Sequence, residues 1–223
     1  MRLLLVVTLC VALAGCASAK PRARLSPPPP PVLRGPTPDE QSKVNLALAP
    51  LVSASGICAA GQPCAVGLAI EPVQRIHVAA GPAPPKKFVI RVTTGALSNL
   101  EPSELQAALA HELGHIRLGH FETRQVRRLA EPSGAPGSNG VAEDALRANR
   151  ASDRDEELAA DRYAVELLEK LPGSPGHGCT DMLVLLERLD LEQLTPGWAN
   201  WLSTHPTPAT RLQTLQAECD KKP

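Results

Sequence analysis

The chain has 223 residues, with 23 basic and 23 acidic side chains and a formal net charge of zero at pH 7. That balance argues against nucleic acid as a partner, because backbone phosphates are recruited by a clear excess of positive charge. Aromatic residues make up only 2% of the sequence, so a core must be built from Leu, Ala, Val and Ile.

Met1-Arg2 is followed by an apolar run from Leu3 to Ala14, too short to span a bilayer as a helix. A single positive charge, an apolar stretch and small residues at its end describe an export signal. The end reads Leu13-Ala14-Gly15-Cys16 and resembles a bacterial lipobox, with cleavage before Cys16 and lipid on that cysteine. Cys16 would then tie the chain to a membrane surface through acyl chains. Ala17 is not the aspartate of inner-membrane retention, so the outer membrane is the expected address. Removing residues 1–15 leaves 208, enough for one domain with a real core.

Residues 16–38 join the lipidated cysteine to a stretch holding Pro21, Pro27 to Pro31, Pro36 and Pro38. Such a segment is extended, packs no core, and reads as a tether. The folded domain is expected over residues 39–223. Val44, Leu46, Leu48 and Leu51 give residues 39–54 a helical spacing, with Pro50 as an interruption. Val66 to Ile70, Val73 to Val78 and Lys87 to Thr93 then read as strands separated by Pro and Gly. Four cysteines remain for the exported chain: Cys58, Cys64, Cys179 and Cys219. They suggest two disulfides. Of three possible pairings, the local one joins Cys58 to Cys64 and leaves Cys179 with Cys219. No C-x-x-C occurs to favour a cysteine metal site instead.

Pro102 suits the first turn of a helix. Leu105, Ala108, Leu109, Leu113 and Ile116 continue it at helical spacing. Inside it lies His111-Glu112-Leu113-Gly114-His115, an H-E-x-x-H pattern. Residues four apart share one face of a helix, so His111 and His115 can reach one metal ion with Glu112 beside them to handle a proton. His120 lies five residues after His115 and projects to another side of that helix. Residues 131–141 read as a loop, and a second long helix is expected from Ser152, with Asp155 completing a capping box, to about Leu171. Glu157 and Asp161 share a face of it. A catalytic zinc takes three protein ligands, and Glu157 is the candidate for the third. Asp161 can hold the far nitrogen of a ligand histidine. An E-x-x-x-D spacing alone equally describes a solvated acidic face, and the upstream motif is what gives it weight. Helices at about 179–191 and 207–219 close the chain. His77 and His177 read as loop or surface residues.

Taken together, Glu104 to His120, Glu157 to Asp161, and Thr204-His205-Pro206 followed by Arg211 resemble the gluzincin metallopeptidases of the CAAX prenyl endopeptidase and HtpX type. Val92-Thr93-Thr94-Gly95-Ala96-Leu97 is similar to that family's entry into the active helix, and the likeness runs over about residues 66–219. The resemblance implies one Zn2+ per chain on His111, His115 and Glu157, with Glu112 as general base. For His205 it implies either a second donor to the developing oxyanion or a gate that closes the zinc. It places Arg211 near the site. The chain lacks the spanning helices of the integral-membrane subgroups, so their substrates do not carry over.

The expected fold is therefore α+β, a mainly helical zincin-like core with a small strand region before the active-site helix. The expected function is a zinc endopeptidase, lipid-anchored on the periplasmic face of a bacterial outer membrane, cleaving misfolded or unassembled envelope proteins. Phe88 to Thr93 is expected to border the cleft and receive an extended substrate. The alternative is a zinc-stabilised binding or assembly lipoprotein without turnover, for which Glu112 has no chemical use. A zinc hydrolase of cell-wall amides ranks lower, since no wall-binding repeat is visible.

Overall fold

The computed structural model describes residues 35–58, 64–84, 86–130, 139–173, 176–192 and 208–221. Cys16, the tether up to residue 34, the loop at 131–138 and His205 lie outside the described residues.

Helix α1 (Pro38–Ser55) begins at Thr37, whose hydroxyl accepts from the Glu40 amide while the Glu40 carboxylate accepts from the Thr37 amide. This reciprocal cap satisfies two amides that the first turn would otherwise leave bare. Pro50 does not interrupt the helix, contrary to the sequence expectation. The carbonyl its missing N–H would have served belongs to Leu46, which is itself 74% exposed, so water can take that bond. Val44, Leu48 and Leu51 face the core, and Leu46 does not join them.

Three strands follow: β1 (Val66–Glu71), β2 (Val78–Ala83) and β3 (Lys86–Thr93). Their order is β1-β3-β2, with β1 parallel and β2 antiparallel to β3. The first and third strands lie where the sequence places them. The second does not: residues 73–77 are loop, and the strand is Val78–Ala83. Ala79-Ala80-Gly81-Pro82 has no β-branched residue, so pairing with β3 makes this strand where local preference does not. Pro82 is tolerated because β2 is an edge. β3 is the central strand and has both edges paired, so it cannot receive a substrate strand as expected.

Thr93 caps the short helix α2 (Thr94–Asn99). Helix α3 (Pro102–Arg117) starts with Pro102 in its first turn and Glu104 accepting from the Glu101 amide at 2.8 Å. Helix α4 (His120–Ala130) follows a turn at Gly119, which has φ +73°. Helix α5 (Asn139–Glu169) starts well before Ser152. Ser152 is not a cap: its hydroxyl accepts from Arg127 of α4, and Arg127 also reaches Asp153 at 2.7 Å. The polar run that resembles a helix start is thus the face α5 turns toward the arginines of α4. Helices α6 (Gly178–Glu192) and α7 (Pro208–Cys219) complete the order. The result is the α+β arrangement read from the sequence. Among the described residues, no helix is long and apolar enough to cross a membrane.

Leu105, Leu109 and Leu113 of α3 sit at the centre, fully buried with Leu167 and Leu168 of α5, Met182 and Leu186 of α6, and Ile90 of β3. The cysteines pair as the local reading had it. Cys58–Cys64 closes a short loop, and Cys179–Cys219 fastens α6 to the end of α7 with Cα atoms 5.9 Å apart.

Gly114, between the motif histidines, fixes how α3 meets α5. A Cβ there would lie 3.0 Å from the Ala160 carbonyl oxygen and 3.1 Å from its Cα. The two backbones therefore touch where the two polar motifs face each other. Gly114→Val should push α5 away, cost about 1–3 kcal/mol of stability as overpacking does, and abolish tight zinc binding. Thermal melting and metal analysis of the purified variant check this, and parental values for both would remove the close contact as a requirement.

Candidate metal centre

His111, Glu112 and His115 are 4%, 4% and 1% exposed, and Glu157 and Asp161 of α5 are 0% exposed. Burying five ionisable side chains together is costly unless each finds a partner. The partners are one another. His111 Nε2 lies 3.2 Å from Glu157 Oε2, His115 Nε2 lies 3.3 Å from Glu157 Oε1, and the two imidazole Nε2 atoms are 3.1 Å apart. The ligand atoms of His111, His115 and Glu157 all fall within 4.8 Å of one another. Two imidazole nitrogens and one carboxylate oxygen converging on one point fit a zinc-type cation, which takes this donor set and leaves a further position open.

The far nitrogens are also engaged. His111 Nδ1 meets Asp161 Oδ1 at 2.8 Å, which holds the ring in the tautomer that presents Nε2 inward. Asp161 is in turn clamped by Arg211 of α7, with Nε 2.8 Å from Oδ2 and Nη2 2.5 Å from Oδ1. Arg211 Nη1 reaches Glu157 Oε2 at 3.4 Å, so one guanidinium balances both carboxylates. The structure thus gives Arg211 the place that the sequence only put near the site. On the other side, Arg124 of α4 bonds Glu156 at 2.7 Å and Glu157 Oε1 at 3.2 Å.

His120 corrects the sequence reading. It is not among the converging ligand atoms, yet its Nδ1 lies 2.8 Å from His115 Nδ1. The i+5 projection fails because α3 ends at Arg117 and Gly119 turns the chain in the left-handed region, so His120 opens a new helix and swings back over His115. With His115 offering Nε2 inward, its Nδ1–H donates to His120, which must accept. Burial is the largest influence on His120 and lowers its pKa, which suits the neutral, accepting ring. The signal available in the sequence was Gly119 as a helix terminator.

Glu112 points the other way, accepting from the Ala80 amide of β2 at 2.6 Å. A cavity of about 570 Å³ opens there, lined by Ala79 to Pro82 of the edge strand together with Glu112, His115 and Arg124. His77 lines it too, half-buried at the loop end, while His177 is exposed as expected.

A model of peptidase family M48 matches residues 79–219. The chain belongs to peptidase family M48. Peptidases of family M48 are zinc-dependent, which agrees with the donor set found here. "Protease HtpX homolog 2" of Methanosarcina acetivorans is 54% identical to this chain over 33 residues, a match covering 15% of this chain and 11% of that relative. The chain thus spans about a tenth of the length of the curated relative it matches. No solved structure matches it.

Electrostatics set how this M48 centre takes up a cation. Burial is the largest influence on His111 and, with the Arg211 charge, opposes a proton there. The carboxylates of Asp161 and Glu157 outweigh both and raise its pKa from 6.5 to about 9. For Asp161, burial alone would raise the pKa, but the Arg211 guanidinium holds it well below the usual carboxylate range. In the metal-free chain, the His111 contribution to stability is full below pH 6.5 and is lost as pH rises through about 9. A cation at Nε2 must displace that proton. Zinc affinity should therefore climb as pH rises toward 9, and calorimetric titration at neutral pH in two buffers of different ionisation enthalpy should show about one proton released per ion. No release would mean that His111 is already neutral. Asp161→Asn should lower zinc affinity by about 10–100-fold, read by competition with a chromophoric chelator. Unchanged affinity would remove Asp161 from its orienting role.

Proposed function

We propose that this chain is a zinc-dependent endopeptidase in which His111, His115 and Glu157 hold one zinc and Glu112 is the general base. The observation that carries the reading is Glu112 itself: a buried carboxylate beside the converging ligand atoms, aimed by the Ala80 amide toward an open cavity. A binding protein that used zinc only as a staple would have no need of it. Bound zinc would polarise the scissile carbonyl and make water a competent nucleophile at neutral pH. Glu112 accepts the proton of the attacking water and delivers it to the leaving amine as the C–N bond breaks. Asp161 and His120 keep the two imidazoles turned inward, and Arg211 balances the carboxylates.

The edge strand supports the substrate class. Among the described residues β2 is paired on one side only, and it borders the cavity, so an extended peptide can add to it through main-chain hydrogen bonds. A folded surface offers no such strand, whereas unfolded or unassembled chains do. The short apolar run after Arg2, the lipobox-like Leu13-Ala14-Gly15-Cys16 and the prolines before residue 39 support an enzyme exported and held by lipid on Cys16 at the periplasmic face of a bacterial outer membrane. Its substrates would be misfolded envelope proteins.

Incubation of the zinc-loaded full-length chain with β-casein tests the chemistry. The parent should cleave, Glu112→Gln should bind zinc equally and cleave about 10²–10⁴-fold more slowly, and chelation should stop the parent. Zinc and casein binding without cleavage by the parent would sink the peptidase reading and favour a binding lipoprotein. A peptide seated away from β2 in a structure of the Glu112→Gln complex would remove the edge-strand assignment. Cys16→Ser should move the chain from the membrane pellet to the soluble fraction, and retention in the pellet would count against the lipid anchor.

A further inference from the structure

A second, narrow crevice of about 20 Å³ lies on the His111 side of the motif. It is apolar, with Val78, Leu185 and Leu189 among its walls, and Arg211 borders it. The wide cavity lies on the His115 side, along Ala79 to Pro82. Among the described residues lining them, His77 and Glu112 are the two that border both spaces. The crevice has room for about one water and none for a side chain, so an extended chain laid along β2 lies in the wide cavity, where His77 and Glu112 both form part of the wall. The carbonyl of the bond that Glu112 serves thus lies in the space that His77 borders.

His77 is also held in place. Its amide donates to Thr93 Oγ1 at 3.0 Å and its carbonyl accepts from the Thr93 amide at 3.0 Å. Thr93 Oγ1 donates onward to Arg75 O at 2.6 Å, and the Gly95 amide donates to Val73 O at 2.8 Å. Position 95 admits no side chain, since a Cβ would lie 2.1 Å from Gln74 O. The loop before β2 is thus stitched to the start of α2 along its length. These bonds fix the His77 backbone, the point from which its side chain projects, and donors set in place beforehand act on developing charge with little reorganisation.

Resting on the peptidase reading, we infer that His77 is a further catalytic residue: its imidazole N–H donates a hydrogen bond to the scissile carbonyl oxygen of the substrate. A neutral imidazole always carries one N–H. As water adds, the new C–O bond forms, the carbonyl π pair moves onto oxygen, and Glu112 takes the water proton. His77 transfers nothing and only stabilises that oxygen until the C–N bond breaks and the amine leaves with the proton from Glu112. Among the described residues lining these spaces, Arg124 and Arg211 are the cationic donors. Each borders one space only, and both are committed to Glu156, Glu157 and Asp161.

The test uses the zinc-loaded full-length chain with quenched-fluorescent casein. His77→Ala should lower kcat by about 10²–10³-fold, as removal of an oxyanion donor does, while zinc content and melting temperature stay parental. His77→Gln, which keeps an N–H donor, should recover at least about tenfold of that loss. In the Glu112→Gln background, adding His77→Ala should leave the affinity for fluorescein-labelled β-casein unchanged. The proposal is overturned if His77→Ala keeps parental kcat, if Gln rescues no better than Ala, or if zinc or melting temperature falls along with the rate. A casein affinity that drops as far as kcat/KM would make His77 a ground-state binder and overturn it as well. If the parent itself does not cleave, the peptidase reading fails first, visibly and apart from any His77 result, and this one falls with it.

Discussion

Everything at the centre depends on two helices touching through their backbones. Gly114 and Ala160 each lie in the middle of a polar motif, His111 to His115 on α3 and Glu157 to Asp161 on α5. Because neither residue pushes the helices apart, a carboxylate on one can reach the imidazoles of the other. A larger residue at 114 would separate ligand atoms that now lie within 4.8 Å of one another. Helix packing distance is set by side-chain size at the contact, so the glycine inside the motif is as much part of the site as the histidines.

The buried charge is then distributed over the whole domain. α7 supplies Arg211 to Asp161 and Glu157, α4 supplies Arg124 to Glu157 and His120 to His115, and β2 supplies the Ala80 amide to Glu112. Removing one member of such a buried pair leaves the other charge uncompensated, which typically costs about 3–5 kcal/mol. The elements around α3 and α5 therefore do more than cover a core: each brings a group without which the ligand set would repel itself or protonate.

What the sequence disclosed and what it hid follow one rule. Periodicity along a single element was readable: α3, the shared face of Glu157 and Asp161, and the strands β1 and β3 all declare themselves by spacing. Contacts made between elements were not. β2 is a strand because β3 pairs with it, though Ala-Ala-Gly-Pro has no strand preference of its own. Ser152 imitates a cap because it faces Arg127 across a helix interface. His120 seemed misdirected because a helical projection was carried past the glycine that ends the helix. His77 carried no pattern at all, since its place between two cavities comes from stitching that runs through Thr93 and Gly95. The cysteines were an exception, since a six-residue separation made one pairing the simple choice and left the other by subtraction.

That second pair has a consequence for when the centre can exist. Cys219 lies two helical turns beyond Arg211 on α7, and Leu215, buried between them, shares their face. The helix that brings the balancing guanidinium is thus moored by a covalent bond to α6. Reducing compartments do not maintain such bonds, and oxidising ones do. Newly made chains in a thiol-rich interior would hold the mooring cysteines apart, and the guanidinium would be tethered by packing alone. On the proposed export, passage into an oxidising space becomes a maturation step, with a bond between two distant cysteines separating the chain as synthesised from the chain equipped to keep its charges in order.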